Sequence, residues 1–284
     1  MDVADLRGRT ALVTGAGSGI GRETALAFAR RGADLVVCDV NQQGLDETAA
    51  RIRSLSRGGV SSHLVDVADA RQMADFAAAV HARVAAVDLL MNNAGIGIGG
   101  GFLDTSLEDW EWILGVNLRG VIHGCHFFVP RMVERGAGGH VINVASAAGY
   151  VATSDLAAYC TTKFGVLGLS EALRDELAAH RIGVTTVCPG LINTPITRSA
   201  KLVGRDASEA LREEMVRVYE RRNYTPERVA RNILKAVARN RAVAPIAAEA
   251  WLLYYAKRFF PGALAWLARR ARERRLARLP AARR

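Results

Sequence analysis

The chain has 284 residues, half of them apolar, and a formal charge of +10, enough length for one large domain with a sizeable core. No run of 18 or more apolar residues occurs, which argues against a single spanning helix, and the acidic start Met1-Asp2-Val3-Ala4-Asp5 does not read as a secretory signal. The charge belongs to a tail: Lys257 to Arg284 carries ten Lys or Arg against Glu273 alone, the other 256 residues sum to +1, and no nucleic-acid-binding face is indicated.

Thr10-Ala-Leu-Val-Thr14 reads as a strand, Gly15-Ala-Gly-Ser-Gly-Ile-Gly21 as a turn, and Ala25, Phe28 and Ala29 as one face of a helix. This is the context in which a glycine turn becomes a dinucleotide site. The backbone can approach a pyrophosphate, and the helix N-terminus offers free N–H groups and the positive end of its dipole. The spacing is T-G-x-x-x-G-x-G through Thr14, Gly15, Gly19 and Gly21; it is not G-x-G-x-x-G, because the sixth position from Gly15 is Ile20. A second strand, Asp34 to Asp39, ends in an acid 18 residues beyond Gly21, near the separation at which a carboxylate meets ribose hydroxyls. That carboxylate would repel a 2′-phosphate, and neither Ser18 nor Val40 supplies an arginine for one. NAD is therefore expected over NADP.

Gln42 to Arg57 reads as a helix and Val60 to Val65 as a strand closing on Asp66-Val67. Met73, Phe76, Ala77, Val80 and Val84 form a core-facing helical stripe, and Val87 to Met91 is a fourth strand running into Asn92-Asn93-Ala94-Gly95. Alternation of strand and helix predicts right-handed βαβ units and a parallel sheet. A helix opening near Ser106 carries Asn117, then His123 and His126 around Cys125. No partner cluster accompanies these histidines, so they read as core or interface residues and no metal is expected. The strand Gly139 to Ala145 leads to Ser146 at a C-terminal sheet edge, where open α/β sheets bind ligands.

Val166, Leu169, Leu173 and Leu177 mark a long helix whose start holds Tyr159 and Lys163, one turn apart on one face. A tyrosine with a pKa of about 10 is a poor acid or base at neutral pH. A fixed ammonium beside it is expected to lower that value toward the working range. Gly183 to Cys188 is the sixth strand, and Leu191 to Asn223 is a long, charged helical segment read as a lid. After Pro226, a helix through Val229, Ile233 and Val237 leads to a last strand, Ala242 to Ile246. Cys38, Cys125, Cys160 and Cys188 form no C-x-x-C pair and read as isolated thiols in a reducing, cytoplasmic setting.

Thr14-Gly15-x3-Gly19-x-Gly21, Asn92-Asn93-Ala94-Gly95, Asn117, Ser146, Tyr159-x3-Lys163 and Pro189-Gly190 occur in one order. Together they resemble the short-chain dehydrogenase/reductase family over roughly residues 7–245. The resemblance implies an α/β, doubly wound Rossmann-type three-layer fold with a seven-stranded parallel sheet in order 3-2-1-4-5-6-7. It implies a domain over 1–246, with the lid at about 191–225, and an extension over 247–284. It implies an oxidoreductase in which Tyr159 is the general acid/base and Lys163 holds the nicotinamide ribose. Ser146 would orient the reacting carbonyl, and Asn117 would position a water that relays protons. Gly15, Ser18, Gly19, Ile20 and Gly21 would serve the pyrophosphate, Asp39 the adenosine ribose, and Asp66 and Val67 the adenine. Asn93, Ala94 and Gly95 would line a ribose. Pro189, Gly190 and Ile192 would flank the nicotinamide, with Thr194 on its carboxamide. By family analogy a homodimer or homotetramer is expected, through the helices around Asn117 and Tyr159.

Three stretches should surround the reacting carbon: Ile96 to Phe102, Ala147 to Leu156, and Leu191 to Asn223. Ile96, Ile98, Phe102, Ala147, Tyr150 and Val151 are apolar and favour an apolar or lipid-like secondary alcohol or ketone. The alternatives are an NADPH-dependent carbonyl reductase of a small polar substrate and a catalytically idle nucleotide-sensing protein. In the extension, Trp251 to Tyr255 and Phe259-Phe260 precede arginines mixed with Trp266, Leu267, Leu276 and Leu279. This reads either as peripheral attachment to an anionic membrane or as aromatics packed on the body or a partner subunit.

Overall fold

The computed structural model describes residues 2–56, 58–204 and 208–277. The strands are β1 (Thr10–Thr14), β2 (Asp34–Asp39), β3 (Val60–Leu64), β4 (Leu89–Asn92), β5 (Ile98–Gly99), β6 (Gly139–Val144), β7 (Ile182–Pro189), β8 (Lys201–Leu202) and β9 (Val243–Ile246). Seven of them form one parallel sheet, β3-β2-β1-β4-β6-β7-β9, which is the expected 3-2-1-4-5-6-7 when its strands alone are numbered. β5 and β8 make a separate two-residue parallel pair.

The helices are α1 (Gly19–Ala29), α2 (Gln42–Leu55), α3 (Ala70–His81), α4 (Leu107–Leu114), α5 (Gly120–Arg135), α6 (Ala157–Ala178), α7 (Ile196–Ser199), α8 (Glu209–Arg222), α9 (Pro226–Ala238), α10 (Ala248–Phe259) and α11 (Pro261–Ala277). Their starts follow local chemistry. The side chains of Asn41, Asp69 and Ser106 accept backbone N–H bonds from the first turns of α2, α3 and α4. Pro226 opens α9, where its missing N–H costs nothing.

Both sheet faces are covered, so every residue of β1 is buried and the strand reads as a continuous apolar run. Its side chains alternate between two cores. Ala11 and Val13 join Leu26 and Phe28 of α1 and Ile233 and Val237 of α9. Leu12 joins Met73 and Phe76 of α3, Phe128 of α5 and Val166 of α6.

Some boundaries differ from expectation. α2 ends at Leu55, with Ser56 extended; Arg57 lies outside the described residues. The helix expected from Ser106 is divided: α4 passes through a π-helical turn, Gly115–Arg119, into α5. The lid is not one helix but α7, β8 and α8. The extension forms α10 and α11; Leu279, and the side chain of Leu276, lie outside the described residues. Among the described residues, no helix is long and apolar enough to cross a membrane.

Candidate active site

A cleft of about 730 Å³ follows the C-terminal edge of the sheet, where the turns after β1, β2, β4, β6 and β7 meet. One half of it is a backbone cradle. Gly15 has φ +63°, and a Cβ there would lie 2.7 Å from Ala94 Cα. At Gly21 a Cβ would lie 2.2 Å from the Gly15 carbonyl oxygen, so only glycine lets α1 pack onto the turn. Asn93 donates through Nδ2 to the carbonyls of Thr14 and Gly15, both at 3.0 Å, and Thr14 Oγ1 accepts the N–H groups of Asn93 and Ala94. The turns after β1 and β4 are thus cross-braced. The Ser18 side chain does not cap α1. The cradle and the uncapped helix end fit a pyrophosphate.

Asp39 stands at the end of β2, its carboxylate accepting the N–H groups of Gly17 at 2.8 Å and Asn41 at 2.9 Å. These bonds fix its aim and leave acceptor capacity for hydroxyls. Asp66 and Val67 line the same end; Pro189, Gly190, Ile192 and Thr194 line the other. Gly21 is placed differently from expectation. It is buried behind the turn, off the cleft wall, and serves packing.

Ser146, Tyr159 and Lys163 meet on one wall of the cleft. The Ser146 hydroxyl lies near enough to the Tyr159 phenol to pull its pKa down, and its oxygen accepts the Ala148 N–H at 3.1 Å. Lys163 is buried, donates to the Val144 carbonyl at 3.1 Å, and holds its Nζ 5.6 Å from the Tyr159 ring centroid. The expected lowering of the tyrosine pKa is not found. Burial pushes the phenol up to about 12, against the opposing pull of Ser146. Burial also brings Lys163 down to about 8. Desolvation is the leading cause for both groups.

Asn117 lies in the π-helical turn, a local irregularity of the kind found at functional sites. It is fully buried, off the cleft wall. Its Oδ1 accepts the Ile96 N–H at 2.8 Å, and its Nδ2 donates to the Ile96 carbonyl at 2.9 Å and to Thr162 Oγ1 at 3.3 Å. The side chain thus braces the loop at Ile96, between β4 and β5. His123 Nδ1 lies 2.8 Å from the Val67 carbonyl.

Ile96, Ile98, Ala147 and Val151 line the substrate half as expected. Two other residues do not. Tyr150 turns away, donating from its hydroxyl to the Ala250 carbonyl at 2.7 Å, and Phe102 is 66% exposed outside the cleft. The wall is completed by residues that sequence reasoning did not assign: Trp112 and Val116, Tyr219 of the lid, and Glu249 and Leu253 of α10. Tyr219 was hidden among charges; Glu249 and Leu253 lay in a segment read as outside the domain.

The family model described as short chain dehydrogenase matches residues 9–202. The chain belongs to the short-chain dehydrogenase/reductase family. It is 45% identical over 262 residues to "Probable oxidoreductase EphD" of Mycobacterium tuberculosis, covering 90% of this chain but 44% of that relative, so it spans less than half of its length. It is 38% identical over 195 residues to D-threitol dehydrogenase of Mycolicibacterium smegmatis, covering 69% of this chain and 74% of that one. A short-chain dehydrogenase/reductase from Burkholderia phymatum, crystallised in complex with NAD, superposes with a TM-score of 0.80 at 28% identity, over 99% of this chain and 98% of that one.

Proposed function

We propose that this short-chain dehydrogenase/reductase interconverts a secondary alcohol and its ketone with NAD, on an apolar or lipid-like substrate, using Tyr159 as general acid/base. The convergence of Ser146, Tyr159 and Lys163 on the apolar half of a cleft that also holds the glycine cradle carries this reading. The cofactor supplies or accepts the hydride. The side chains handle the proton. A phenol held protonated suits donation to a ketone oxygen that Ser146 orients, and Lys163 keeps N–H donors for ribose hydroxyls. Asp39, aimed by two backbone bonds, supports NAD over NADP, as does the NAD-bound structural neighbour. D-threitol dehydrogenase is named for a polyol, but the wall of Ile96, Ile98, Val151, Leu202 and Leu253 favours an apolar substrate here.

The test is production of reduced cofactor from secondary alcohols graded from short to sterol-sized, each with NAD and NADP. Turnover rising with apolar size, and only with NAD, is expected. Preference for small polyols, or for NADP, overturns the corresponding part.

The same reading sets α10 and α11 on an anionic membrane surface. Leu252, Tyr255, Phe259, Phe260, Trp266 and Leu267 are exposed, and Lys257, Arg258, Arg269 and Arg270 are exposed among them. Apolar anchors interleaved with cations match an anionic bilayer in both respects. F259S/F260S/W266S in the full chain should lose co-sedimentation with vesicles containing phosphatidylglycerol; equal binding by the variant refutes the attachment. A homodimer or homotetramer is supported by Ile122 of α5 and Phe164 of α6, exposed at 42% and 40% on the helices that flank the site. Light scattering after gel filtration checks it, and a monomer refutes it.

A further inference from the structure

α10 enters the active site as well as the surface, and Glu249 is where it does so. Its Oε1 accepts the Leu191 N–H at 3.1 Å, in the turn after β7. Its Oε2 pairs with the guanidinium of Arg222, the last residue of α8. A Cβ at Gly190 would lie 2.5 Å from Oε1, so the carboxylate reaches the turn only because position 190 is glycine.

The backbone is bent to reach this arrangement. Ala247, immediately before α10, has φ +83° and ψ 155°, a combination that side chains other than glycine rarely adopt. Glu249 is the more sheltered partner, its side chain 24% exposed against 38% for Arg222, so water screens the pair mainly from the Arg222 side. Arg222 lies three residues from Tyr219, on the same side of α8. Tyr219 is half-buried and lines the same cleft as Tyr159. A second tie, Asn193 N–H to the Tyr224 carbonyl at 3.1 Å, joins the same turn to the end of the lid.

We propose that Glu249 is a positioning residue that latches α8 and the Gly190–Leu191 turn to α10, and so sets Tyr219 in the wall of the cleft that holds Tyr159. The role rests on the functional reading above, since Tyr219 matters through Tyr159. The contact itself is testable without turnover.

Hydrogen–deuterium exchange of the full chain, without ligand, reads the latch. R222Q should speed exchange over 209–222 about ten-fold or more and leave β7 and β9 unchanged. E249A should loosen both 209–222 and the turn at 190–195. The double variant R222Q/E249A should exchange over 209–222 no faster than either single one, and R222E/E249R should recover protection there. Unchanged exchange in R222Q, or additive effects in the double variant, overturns the latch. Should E249A fail to fold, R222Q, which changes only the lid partner, still decides.

With NAD and 2-decanol as probe, R222Q should raise KM five-fold or more with kcat within two-fold. An unchanged KM overturns the positioning role. A native chain inert to 2-decanol counts against the substrate class, and the exchange data then decide the latch alone.

Discussion

Replacing Lys163 by methionine should make the protein less dependent on alkaline pH for its stability, because the native lysine is a buried charge. Burial brings its pKa from 10.5 to about 8. Between these values the unfolded chain binds the proton more tightly than the folded one, so native stability rises with pH through that window. Below pH 8 both states are protonated, and the full cost of the buried ammonium is carried. Linkage with the two pKa values gives a gain of about 2.5 kcal/mol for the native chain between pH 7 and pH 10. K163M lacks this gain. Its advantage over the native chain at pH 7 is reduced by loss of the 3.1 Å bond to Val144, so the difference in slope is the cleaner quantity. Burial holds the Cys188 thiol up at about 12 even against the pull of Lys163, beyond the pH range used, so removing the lysine leaves its contribution to the slope unchanged. Urea denaturation at pH 7, 8, 9 and 10 measures the two slopes. Parallel curves would refute the reasoning, since they would mean that Lys163 is effectively solvated.

Y159F keeps the ring and removes the proton donor; turnover should fall on the order of 10²–10⁴-fold while NADH fluorescence titration is unchanged, and retained turnover refutes the role of Tyr159. D39A removes a charged hydrogen-bond acceptor worth about 1.5–3 kcal/mol, so the NADH dissociation constant should rise roughly ten- to a hundred-fold in the same titration. G21A places a Cβ 2.2 Å from the Gly15 carbonyl oxygen and should cost about 1–3 kcal/mol in urea unfolding. F128A empties a fully buried site beside Phe76, whose ring centroid is 5.6 Å away, and should cost about 3–5 kcal/mol by the same measurement.

The amino-acid order by itself determined the sheet. Alternating apolar runs and helical stripes call for a parallel sheet covered on both faces, while the order of its strands came with the family resemblance. It also determined which turns line the glycine-cradle half of the cleft, because that half is built from short turns at strand ends. Gly15, Asp39, Asn93 and Pro189 each stand where a local pattern of strand and turn places them. Tertiary structure decided the rest. Asn117 reads as a polar residue on a helix, and only the packed π-helical turn aims its amide at Ile96. Tyr150 and Phe102 belong to stretches that reach the cleft, yet packing turns one toward Ala250 and leaves the other in solvent. The charge balance of the Tyr159 and Lys163 pair depends on how much water the fold excludes, a quantity that no spacing encodes. Glu249 reaches the site from 59 residues beyond Gly190 in the chain because β7 and β9 are neighbours in the sheet. Local motifs record what each short segment can do; which side chains share one cleft, and how dry it is, depends on contacts between segments far apart in sequence.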